Sequence, residues 1–177
     1  MRYNSVVISG LPGAGKTSLA ERIKKEYNWL IHSVGQLFRS RWAAISKPKP
    51  SFEEWWHKLP HEEQVAVNEE LRKLITQGNI IADSRYAQYL YDVPELLRVF
   101  MTAPLEIRAD RAHSKGKYPF SSAKDIAEVL LKREFDELEI GKSLGIEDYR
   151  RPQDYHLALN SRFLSVDEEF KIIRIIH

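Results

Sequence analysis

The sequence predicts an α/β fold in which one parallel β-sheet lies between two layers of helices. Short apolar segments of strand length alternate along the chain with longer segments whose apolar residues recur at helical spacing. Parallel strands need long crossover connections, and the helical segments supply them. Because such a sheet is buried on both faces and its crossovers are right-handed, we expect a doubly wound, three-layer α/β/α sandwich.

Five segments are predicted as strands. The first contains Val6, Val7 and Ile8, an unbroken apolar run of the kind found in a buried strand. Each predicted strand is separated from the next by a segment long enough to cross back over the sheet, as parallel pairing requires. The five strands cover residues 4–9, 29–32, 79–83, 97–101 and 155–160.

The predicted helices are delimited by residues that start or stop helical turns. Leu19 and Ile23 share one face of the helix that follows the glycine-rich segment 10–15. Ser51, with Glu54 three residues later, resembles a capping box that opens a short helix. The remaining predicted helices cover residues 34–45, 60–77, 104–111, 122–140 and 165–175.

Composition places the chain among single-domain globular proteins. Its 177 residues fit one domain, with 43% hydrophobic and 29% charged residues. The formal charge of +2 argues against a dedicated nucleic-acid binder, and the lack of cysteine excludes disulfides and thiolate metal ligands. The longest apolar run, residues 42–45, falls far short of the roughly 20 residues of a membrane span. We therefore expect a cytoplasmic monomer that binds neither membranes nor nucleic acid.

The segment from Gly10 to Thr17 fits the phosphate-binding pattern G-x-x-x-x-G-K-[ST] at every constrained position. Glycines let successive backbone N–H groups turn inward around anionic oxygens, and the helix behind them adds its positive end. Lys16 can reach the β- and γ-phosphates, Thr17 offers its hydroxyl to Mg²⁺, and Ser18 can contact the α-phosphate. Because the loop lies between a predicted strand and a predicted helix, the sequence predicts a nucleoside triphosphate site.

Sequence features separate this chain from two other classes of protein with such a loop. GTPases read guanine with Asn-Lys-x-Asp and carry a switch Asp-x-x-Gly, and the sequence contains neither motif. Large ATPase motors need a longer chain and an apolar run that ends in Asp-Glu, whereas residues 80–83 end in Asp83 alone. At the end of a strand, Asp83 is still well placed to help hold Mg²⁺ or its waters.

Arginines recur at positions where predicted strands end or where mobile segments begin. Phosphoryl transfer between two anions requires several positive groups around one small volume. The pattern therefore predicts two groups of functional arginines. The candidates are Arg39 and Arg85 for an acceptor site, and Arg108, Arg111 and Arg133 for a lid.

Taken together, these motifs resemble the nucleoside monophosphate kinase family, and within it the compact cytidylate kinases of the archaeal type. The resemblance rests on the phosphate loop with its strand, residues 7–17, and on Ser33-x-Gly35-x-x-Phe38-Arg39. It continues through residues 71–85, which end in Asp83-Ser84-Arg85, and through the family's lid entrance at residues 103–111. With its last strand and helix at residues 157–161 and 165–168, the similarity covers nearly the whole chain.

The resemblance implies a P-loop NTPase fold with a five-stranded parallel sheet of order 2-3-1-4-5. It also implies a single kinase domain, residues 1–177, whose core is formed by residues 1–32, 76–111 and 141–177. Residues 33–75 are then the acceptor-binding segment and residues 112–140 the lid. ATP and a nucleoside monophosphate are the implied substrates, and Mg²⁺ is the implied cofactor.

The same resemblance implies roles for individual residues. The catalytic residues are expected to be Lys16, Arg85, Arg108, Arg111 and Arg133, with one of the lid arginines stacked on adenine. The ATP site is expected to contain Gly10, Pro12, Gly13, Ala14, Gly15, Lys16, Thr17, Ser18, Arg108, Asn160 and Ser161. The acceptor site is expected to contain Ser33, Gly35, Arg39 and Arg85, and the metal site Thr17 and Asp83.

The chain departs from the family pattern at positions near the acceptor and in the lid. Gln36 replaces an acidic residue, Ser84 replaces the glycine of an acidic-Gly-Arg motif, and Asn68 replaces an aspartate. Residues 140–141 are Ile-Gly where a second lid arginine is expected after Arg133, and Lys142 is a candidate substitute for it. These changes leave the phosphate-binding residues mostly intact, but they leave the base of the acceptor open.

The sequence therefore predicts a phosphotransferase that moves the γ-phosphoryl group of ATP to a nucleoside monophosphate, with CMP, dCMP or UMP favoured. Two alternatives remain open. A kinase of the same fold could act on a non-nucleotide alcohol, and Asp83 is the obvious candidate for its general base. An adenylate-kinase-like ATPase could instead serve as an assembly or regulatory switch, which the missing lid arginine favours.

Overall fold

A computed structural model describes residues 2–116, 118 and 122–176 of the chain. Within this part, one sheet is formed by β1 (Ser5–Gly10), β2 (Leu30–Ser33), β3 (Ile80–Asp83), β4 (Leu96–Thr102) and β5 (Leu157–Asn160). The strand order is β2-β3-β1-β4-β5, and every neighbouring pair is parallel. The order implied by the family resemblance is therefore confirmed.

Helices connect and cover these strands. They are α1 (Lys16–Tyr27), α2 (Val34–Ala43), α3 (Phe52–His57), α4 (His61–Ile75), α5 (Leu105–Ser114), α6 (Ala123–Ser143) and α7 (Val166–Ile176). Two short 3₁₀ turns, Ala87–Leu90 and Pro152–Asp154, are not predicted by the sequence patterns. In the part of the chain that the structure describes, no helix is both long and apolar enough to cross a membrane.

Glycines with positive φ explain the largest differences between predicted and observed helix ends. Both α5 and α6 continue beyond their predicted last residues, 111 and 140, to Ser114 and Ser143. After α5, Gly116 has φ 58° and its N–H donates to the His113 carbonyl oxygen. After α6, Gly145 has φ 77° and its N–H donates to the Lys142 carbonyl oxygen. A left-handed residue ends a helix, so these glycines set the two ends.

Apolar residues pack against both faces of the sheet. As a result, every residue of the central strand β1 is buried. Successive residues of a strand point to opposite faces. Ile8 packs with Leu19 and Ile23 of α1 on one face, whereas Val7 packs with Leu71 of α4 on the other. This arrangement confirms the predicted three layers.

Two helical substructures flank the carboxyl edge of the sheet, and each has a small apolar core of its own. One joins α5 and α6 around Ala109, Ala112, Ile126 and Leu130. The other joins α2, α3 and α4 around Phe38, Leu59 and Val67. The first overlaps the predicted lid, 112–140, of which residues 117 and 119–121 lie outside the described residues. The second lies in the predicted acceptor-binding segment, 33–75.

Candidate active site

The phosphate loop connects β1 to α1, and two of its glycines are required by close packing. Gly10 has φ 136°, and a Cβ there would lie 2.1 Å from the carbonyl oxygen of Met101 on β4. Gly13 has φ 82°, and a Cβ there would lie 3.0 Å from the carbonyl oxygen of Arg108 on α5. Neither position accommodates a side chain. The loop is therefore held closely against both β4 and α5.

Lys16 begins α1, and its ammonium group lies over the loop. Its Nζ donates to the carbonyl oxygens of Gly10 and Leu11, at 3.0 and 2.9 Å. Burial and the neighbouring Arg85 lower the pKa of Lys16 well below its ordinary value, although Asp83 opposes this shift. An anion in the loop stabilises the charged form, so phosphate binding and protonation of Lys16 reinforce each other.

Arg111 of α5 and Ser161, which follows β5, brace the loop from the side. The guanidinium group of Arg111 donates to the Ser161 hydroxyl and to the Ser161 carbonyl oxygen, both at 2.7 Å. The Ser161 hydroxyl in turn donates to the carbonyl oxygen of Ala14 at 2.9 Å. Ser161 is 2% exposed. The chain after β5 is thus fastened directly to the phosphate loop.

A cavity of about 480 Å³ opens beside the loop and unites most of the predicted site. From the loop and α1, its lining includes Gly13, Ala14, Gly15, Lys16, Thr17 and Ser18. From the remaining predicted positions, it includes Ser33, Gly35, Arg39, Asp83, Arg85, Arg111, Arg133 and Ser161. Residues predicted for the ATP, acceptor and metal sites therefore share one volume at the carboxyl edge of the sheet.

Arg39 lies on one side of this cavity together with Arg85 and Arg133. Its side chain is exposed, and it forms no hydrogen bond or ion pair with the residues that the structure describes. Gly35 leaves room for it, because a Cβ there would lie 3.3 Å from Nη2 of Arg39. Partial burial and repulsion from Arg133 and Arg85 lower the pKa of Arg39. Cations that repel one another in this way attract an anion strongly.

Glu137 of α6 pairs with two of these arginines. Its carboxylate accepts from Nε of Arg85 at 2.7 Å, from Nη2 of Arg133 at 3.3 Å and from the Tyr149 hydroxyl at 3.1 Å. Burial alone would raise the pKa of Glu137, but Arg85 and Arg133 hold it below its ordinary value. The ionised carboxylate therefore fixes the orientation of both guanidinium groups.

Aromatic side chains form the cavity wall beyond the arginines. Phe38 of α2 and both Phe52 and Trp56 of α3 line it. The rings of Phe38 and Trp56 meet edge to face with 4.4 Å between their centroids, and Phe52 stacks on Trp56. Such rings offer flat apolar surfaces for a planar ligand.

Two amides of α4, Gln64 and Asn68, complete this wall. Nε2 of Gln64 donates to the Leu59 carbonyl oxygen at 3.2 Å, and Nδ2 of Asn68 donates to the Gln64 carbonyl oxygen at 2.8 Å. A backbone carbonyl can only accept, so both amides must turn their nitrogen atoms to the backbone and their oxygen atoms away from it. Oε1 of Gln64 is buried and has no hydrogen-bond partner among the described residues.

The opposite end of the cavity lies between α5 and the start of α7. Lys115, just after α5, places its Nζ 3.4 Å from Oγ of Ser18 on α1. Both apolar and polar side chains line this end, a combination that suits a heteroaromatic ring. They belong to Ala112, Lys115, Ser161, Leu164, Ser165, Val166 and Glu169.

Arg108 does not line the cavity, so the predicted contact with ATP or with the transferring phosphoryl group does not fit its position. Its side chain is buried, and it donates to the carbonyl oxygens of Pro12 and Ala103 at 3.0 and 2.9 Å. It also forms an ion pair of 2.6 Å with Glu134. These contacts hold Arg108 beneath the loop, where it supports the backbone instead of facing a ligand.

Three further residues of the predicted ATP site lie outside the cavity lining. Asn160 ends β5, where its Oδ1 accepts from the N–H of Arg162 at 3.1 Å. Gly10 and Pro12 contribute backbone carbonyl groups to Lys16 and Arg108. Gly10 and Pro12 thus shape the loop from behind.

The sequence patterns predict no role for several cavity residues, among them Gln64, Lys115, Glu137 and Glu169. Helical spacing could have found two of them, because Glu137 lies four residues after Arg133 and Gln64 lies four residues before Asn68. Glu169 carries no such signal, since it belongs to an acidic run of the kind common in the first turn of a helix.

A model of the cytidylate kinase-like family matches residues 5–162. That span contains the phosphate loop and the three cavity arginines Arg39, Arg85 and Arg133. The chain belongs to this family. The prediction of a P-loop nucleoside monophosphate kinase is thereby confirmed.

Individual members of the family resemble the chain over nearly its whole length. A cytidylate kinase of Desulfurococcus amylolyticus is 27% identical over 174 residues, covering 97% of this chain and 91% of that protein. A cytidylate kinase of Methanocaldococcus jannaschii is 26% identical over 174 residues, covering 95% of this chain and 94% of that protein.

The fold of this cytidylate kinase-like protein recurs in solved structures. An uncharacterized protein from Eubacterium ventriosum superimposes with a TM-score of 0.72 at 13% identity, covering 97% of this chain and 96% of that one. For a gluconokinase from Sinorhizobium meliloti, the TM-score is 0.61 at 16% identity, covering 97% of this chain and 90% of that one. For a shikimate kinase from Acinetobacter baumannii in complex with shikimate, the TM-score is 0.59 at 15% identity, covering 98% of this chain and 93% of that one. At these identities the similarity concerns the fold alone.

Proposed function

We propose that this protein transfers the γ-phosphoryl group of ATP, with Mg²⁺, to the phosphate of a nucleoside monophosphate, with CMP or dCMP preferred to UMP. The observation that carries the proposal is the single cavity that joins the Lys16 loop to Arg39, Arg85 and Arg133. Two phosphate-bearing substrates that meet head to head need positive groups on both sides of the reacting phosphorus.

On the donor side, the loop binds the triphosphate. Its backbone N–H groups and the N-terminus of α1 surround the phosphate oxygens, and Nζ of Lys16 adds a positive charge. The acceptor phosphate is already ionised at neutral pH, so its oxygen attacks in line without a general base. Catalysis then depends on holding the two phosphates at the correct distance and neutralising the charge between them.

Thr17 and Asp83 form a donor set that suits Mg²⁺. Both line the cavity, and hydroxyl and carboxylate oxygens are the hard ligands that this ion prefers. Asp83 pairs in register with Ile8 of β1, which places its carboxylate beside the strand that leads into the loop. Two protein ligands leave the remaining positions for phosphate oxygens and water. When bound, the ion neutralises part of the triphosphate charge.

On the acceptor side, Arg39 and Arg85 hold the phosphate of the monophosphate, and Arg133 faces the transferring group. Arg39 is the most available of the three, whereas Glu137 already orients Arg85 and Arg133. Glu137 is thus a positioning residue that keeps two guanidinium groups ready for phosphate oxygens. Movement of the α5–α6 substructure toward the cavity would exclude water from the reacting groups.

Gln64 and Asn68 favour cytosine as the base of the acceptor. Both amides donate to backbone carbonyl groups through their nitrogen atoms, so their oxygen atoms, which are hydrogen-bond acceptors, point away from those carbonyl groups. The exocyclic amino group of cytosine carries two N–H donors that satisfy both oxygens, whereas uracil has a carbonyl oxygen at the same place. Stacking against the aromatic wall holds the pyrimidine between the arginines and the amides.

The proposal is tested with initial rates of ADP release from ATP·Mg²⁺ in the presence of CMP, dCMP, UMP, AMP, GMP, shikimate, gluconate or no acceptor. We expect CMP and dCMP to give the highest kcat/KM and to be converted to their diphosphates. Stimulation by an alcohol acceptor alone would contradict the proposal and favour a kinase in which Asp83 is the general base. A rate of ADP release that is the same with every acceptor and with none would favour an ATPase switch.

A further inference from the structure

Glu169 is a buried carboxylic acid in the wall of the cavity, and the proposed phosphoryl transfer makes no use of it. It lies in the first turn of α7 and is 2% exposed. Within the described part of the chain, its carboxylate forms no hydrogen bond and no ion pair. The two capping-box contacts of this turn belong instead to Ser165 and Glu168.

The residue as a whole is buried, but its carboxylate oxygens are not fully enclosed by protein, so they face the cavity, where a ligand can pair with them. Burial raises the pKa of Glu169 to about 7, and Arg111 opposes this shift. The carboxyl group is therefore close to half protonated at neutral pH. It can act as a hydrogen-bond donor as well as an acceptor.

The position of Glu169 in the cavity corresponds to the base of the donor nucleotide. Ser161 joins this end of the cavity to the phosphate loop through Ala14. Leu164 and Val166 line the same cavity as Ser161 and Glu169. The acceptor arginines lie on the other side of the loop, so a nucleoside whose phosphates occupy the loop extends toward Glu169.

We propose that Glu169 reads the base of the donor nucleotide, and that its protonation state decides between adenine and guanine. A protonated carboxyl group donates to N1 of adenine while its carbonyl oxygen accepts from the N6 amino group. An ionised carboxylate accepts from N1–H and the N2 amino group of guanine, and it repels N1 of adenine. The inference rests on the proposed function in one respect, since it requires a triphosphate in the loop.

The charged groups around Glu169 come from three helices. On α5, Arg111 faces it but is committed to Ser161, and Lys115 follows at the end of that helix. On α1, Arg22 pairs with Asp167 of α7 at 2.7 Å and lies over the Phe170 ring. On α7 itself, Glu168 is turned toward its own N-cap. None of these groups forms an ion pair with Glu169 among the described residues.

The test compares binding of the non-hydrolysable analogues of ATP and GTP at pH 6 and pH 8 by calorimetry, with Mg²⁺ present. With a pKa of about 7, the protonated fraction of Glu169 falls by about tenfold between these pH values. We expect the ratio of ATP-analogue to GTP-analogue affinity to fall by about tenfold or more in the natural protein. Protonation of the γ-phosphate is common to both ligands and cancels in this ratio.

The control is Glu169→Gln, whose amide permanently mimics the protonated acid. Its preference for the ATP analogue should be retained at both pH values, with a pH dependence of less than about twofold. Inorganic tripolyphosphate, which lacks a base, should bind equally well to both proteins. An affinity ratio that is the same at pH 6 and pH 8 in the natural protein would overturn this inference alone. Failure of both analogues and of tripolyphosphate to bind would overturn the proposed function with it.

Discussion

The two sides of the cavity differ in how firmly their charged groups are held. On the donor side, Lys16 donates to two loop carbonyl groups, and Ser161 joins Arg111 to the loop backbone. On the acceptor side, Arg39 is exposed and has no hydrogen bond or ion pair among the described residues. The donor side also packs directly on the sheet, whereas Arg39 belongs to a helix of the α2–α4 substructure.

From the proposed roles of the two sides, we infer that the phosphate loop is formed before any substrate arrives, whereas the arginines are organised by the acceptor. A preformed donor site minimises the cost of orienting groups at the moment of reaction. Glu137 pairs with Arg85 and Arg133 but not with Arg39, which both of these arginines repel, so an anion bound beside Arg39 relieves that repulsion. Substitutions on the donor side should therefore reduce kcat, and those on the acceptor side should mainly raise the KM of the acceptor.

The largest effect is expected for Lys16→Met. Because it removes a charge that stabilises the transferring phosphoryl group, we expect kcat to fall by about 100- to 1,000-fold. ADP release in a coupled assay measures the change, and circular dichroism checks the fold. The matched control is Lys24→Met, an exposed lysine of the same helix, which should retain full activity. Equal activity of the two variants would remove Lys16 from the mechanism.

Glu169→Gln, a substitution on the donor side, should change the free energy of unfolding of the protein in a pH-dependent way. Burial raises the folded-state pKa of Glu169 to about 7, above its ordinary value of 4.5, so the folded protein holds this proton more strongly than the unfolded chain. The natural protein should therefore lose stability as the pH rises from about 4.5 through 7. We expect the glutamine variant to be more stable at pH 8.5 by roughly 2–3 kcal/mol and similar at pH 4.5. Urea unfolding at both pH values gives the difference, and parallel pH profiles would contradict it.

Arg39→Met should affect the acceptor side alone. It removes a cation that we assign to the acceptor phosphate, so we expect the KM for CMP to rise by about 10- to 100-fold. The KM for ATP should stay within about twofold, because the loop is held by other contacts. Arg41→Met is the control on the same helix, since Arg41 pairs with Glu70 outside the cavity. If Arg39→Met raised the KM for ATP instead, the assignment of the two sides would be reversed.

Gln64→Met should give the smallest change and should sharpen the proposed base preference. It keeps the size of the side chain but removes Oε1, so we expect kcat/KM for CMP to fall by about five- to tenfold. The kcat/KM for UMP should hardly change, because uracil has no amino group to donate a hydrogen bond to Oε1. Gln77→Met, at an exposed position just beyond α4, serves as control. A parallel loss for CMP and UMP would show that Gln64 packs against the base without reading it.

Local sequence patterns were sufficient for most of the fold and for the phosphate loop. The apolar run of β1 followed by Gly10 to Thr17 depends on nearest neighbours in the chain, and the structure has both where the pattern predicts them. The ends of α5 and α6 were placed too early because Gly116 and Gly145 act as stop signals several residues later. The strand order came from the family resemblance, since strand pairing between distant segments leaves no mark in local periodicity.

Only part of the candidate site could be predicted from the sequence, namely the charged residues whose spacing along the chain reflects their function. Arg108 and Arg111 share a helix face and look equivalent in the sequence, yet the carbonyl oxygen of Pro12 and the carboxylate of Glu134 draw Arg108 into the interior. The orientation of the Gln64 amide depends on the Leu59 carbonyl group, which only the turn before α4 brings into reach. The contacts of Arg108 join segments that are distant in the chain, and the contact of Gln64 depends on the shape of a turn, so residue type and spacing could not reveal them.

Direct transfer requires one cavity to bring the donor and acceptor phosphates together. It is tested by incubating the protein with CMP, Mg²⁺ and ATP labelled at its γ-phosphorus and following the label in CDP and in inorganic phosphate. We expect nearly all label leaving ATP to appear in CDP. Label that appears in inorganic phosphate at the same rate with and without CMP would contradict it.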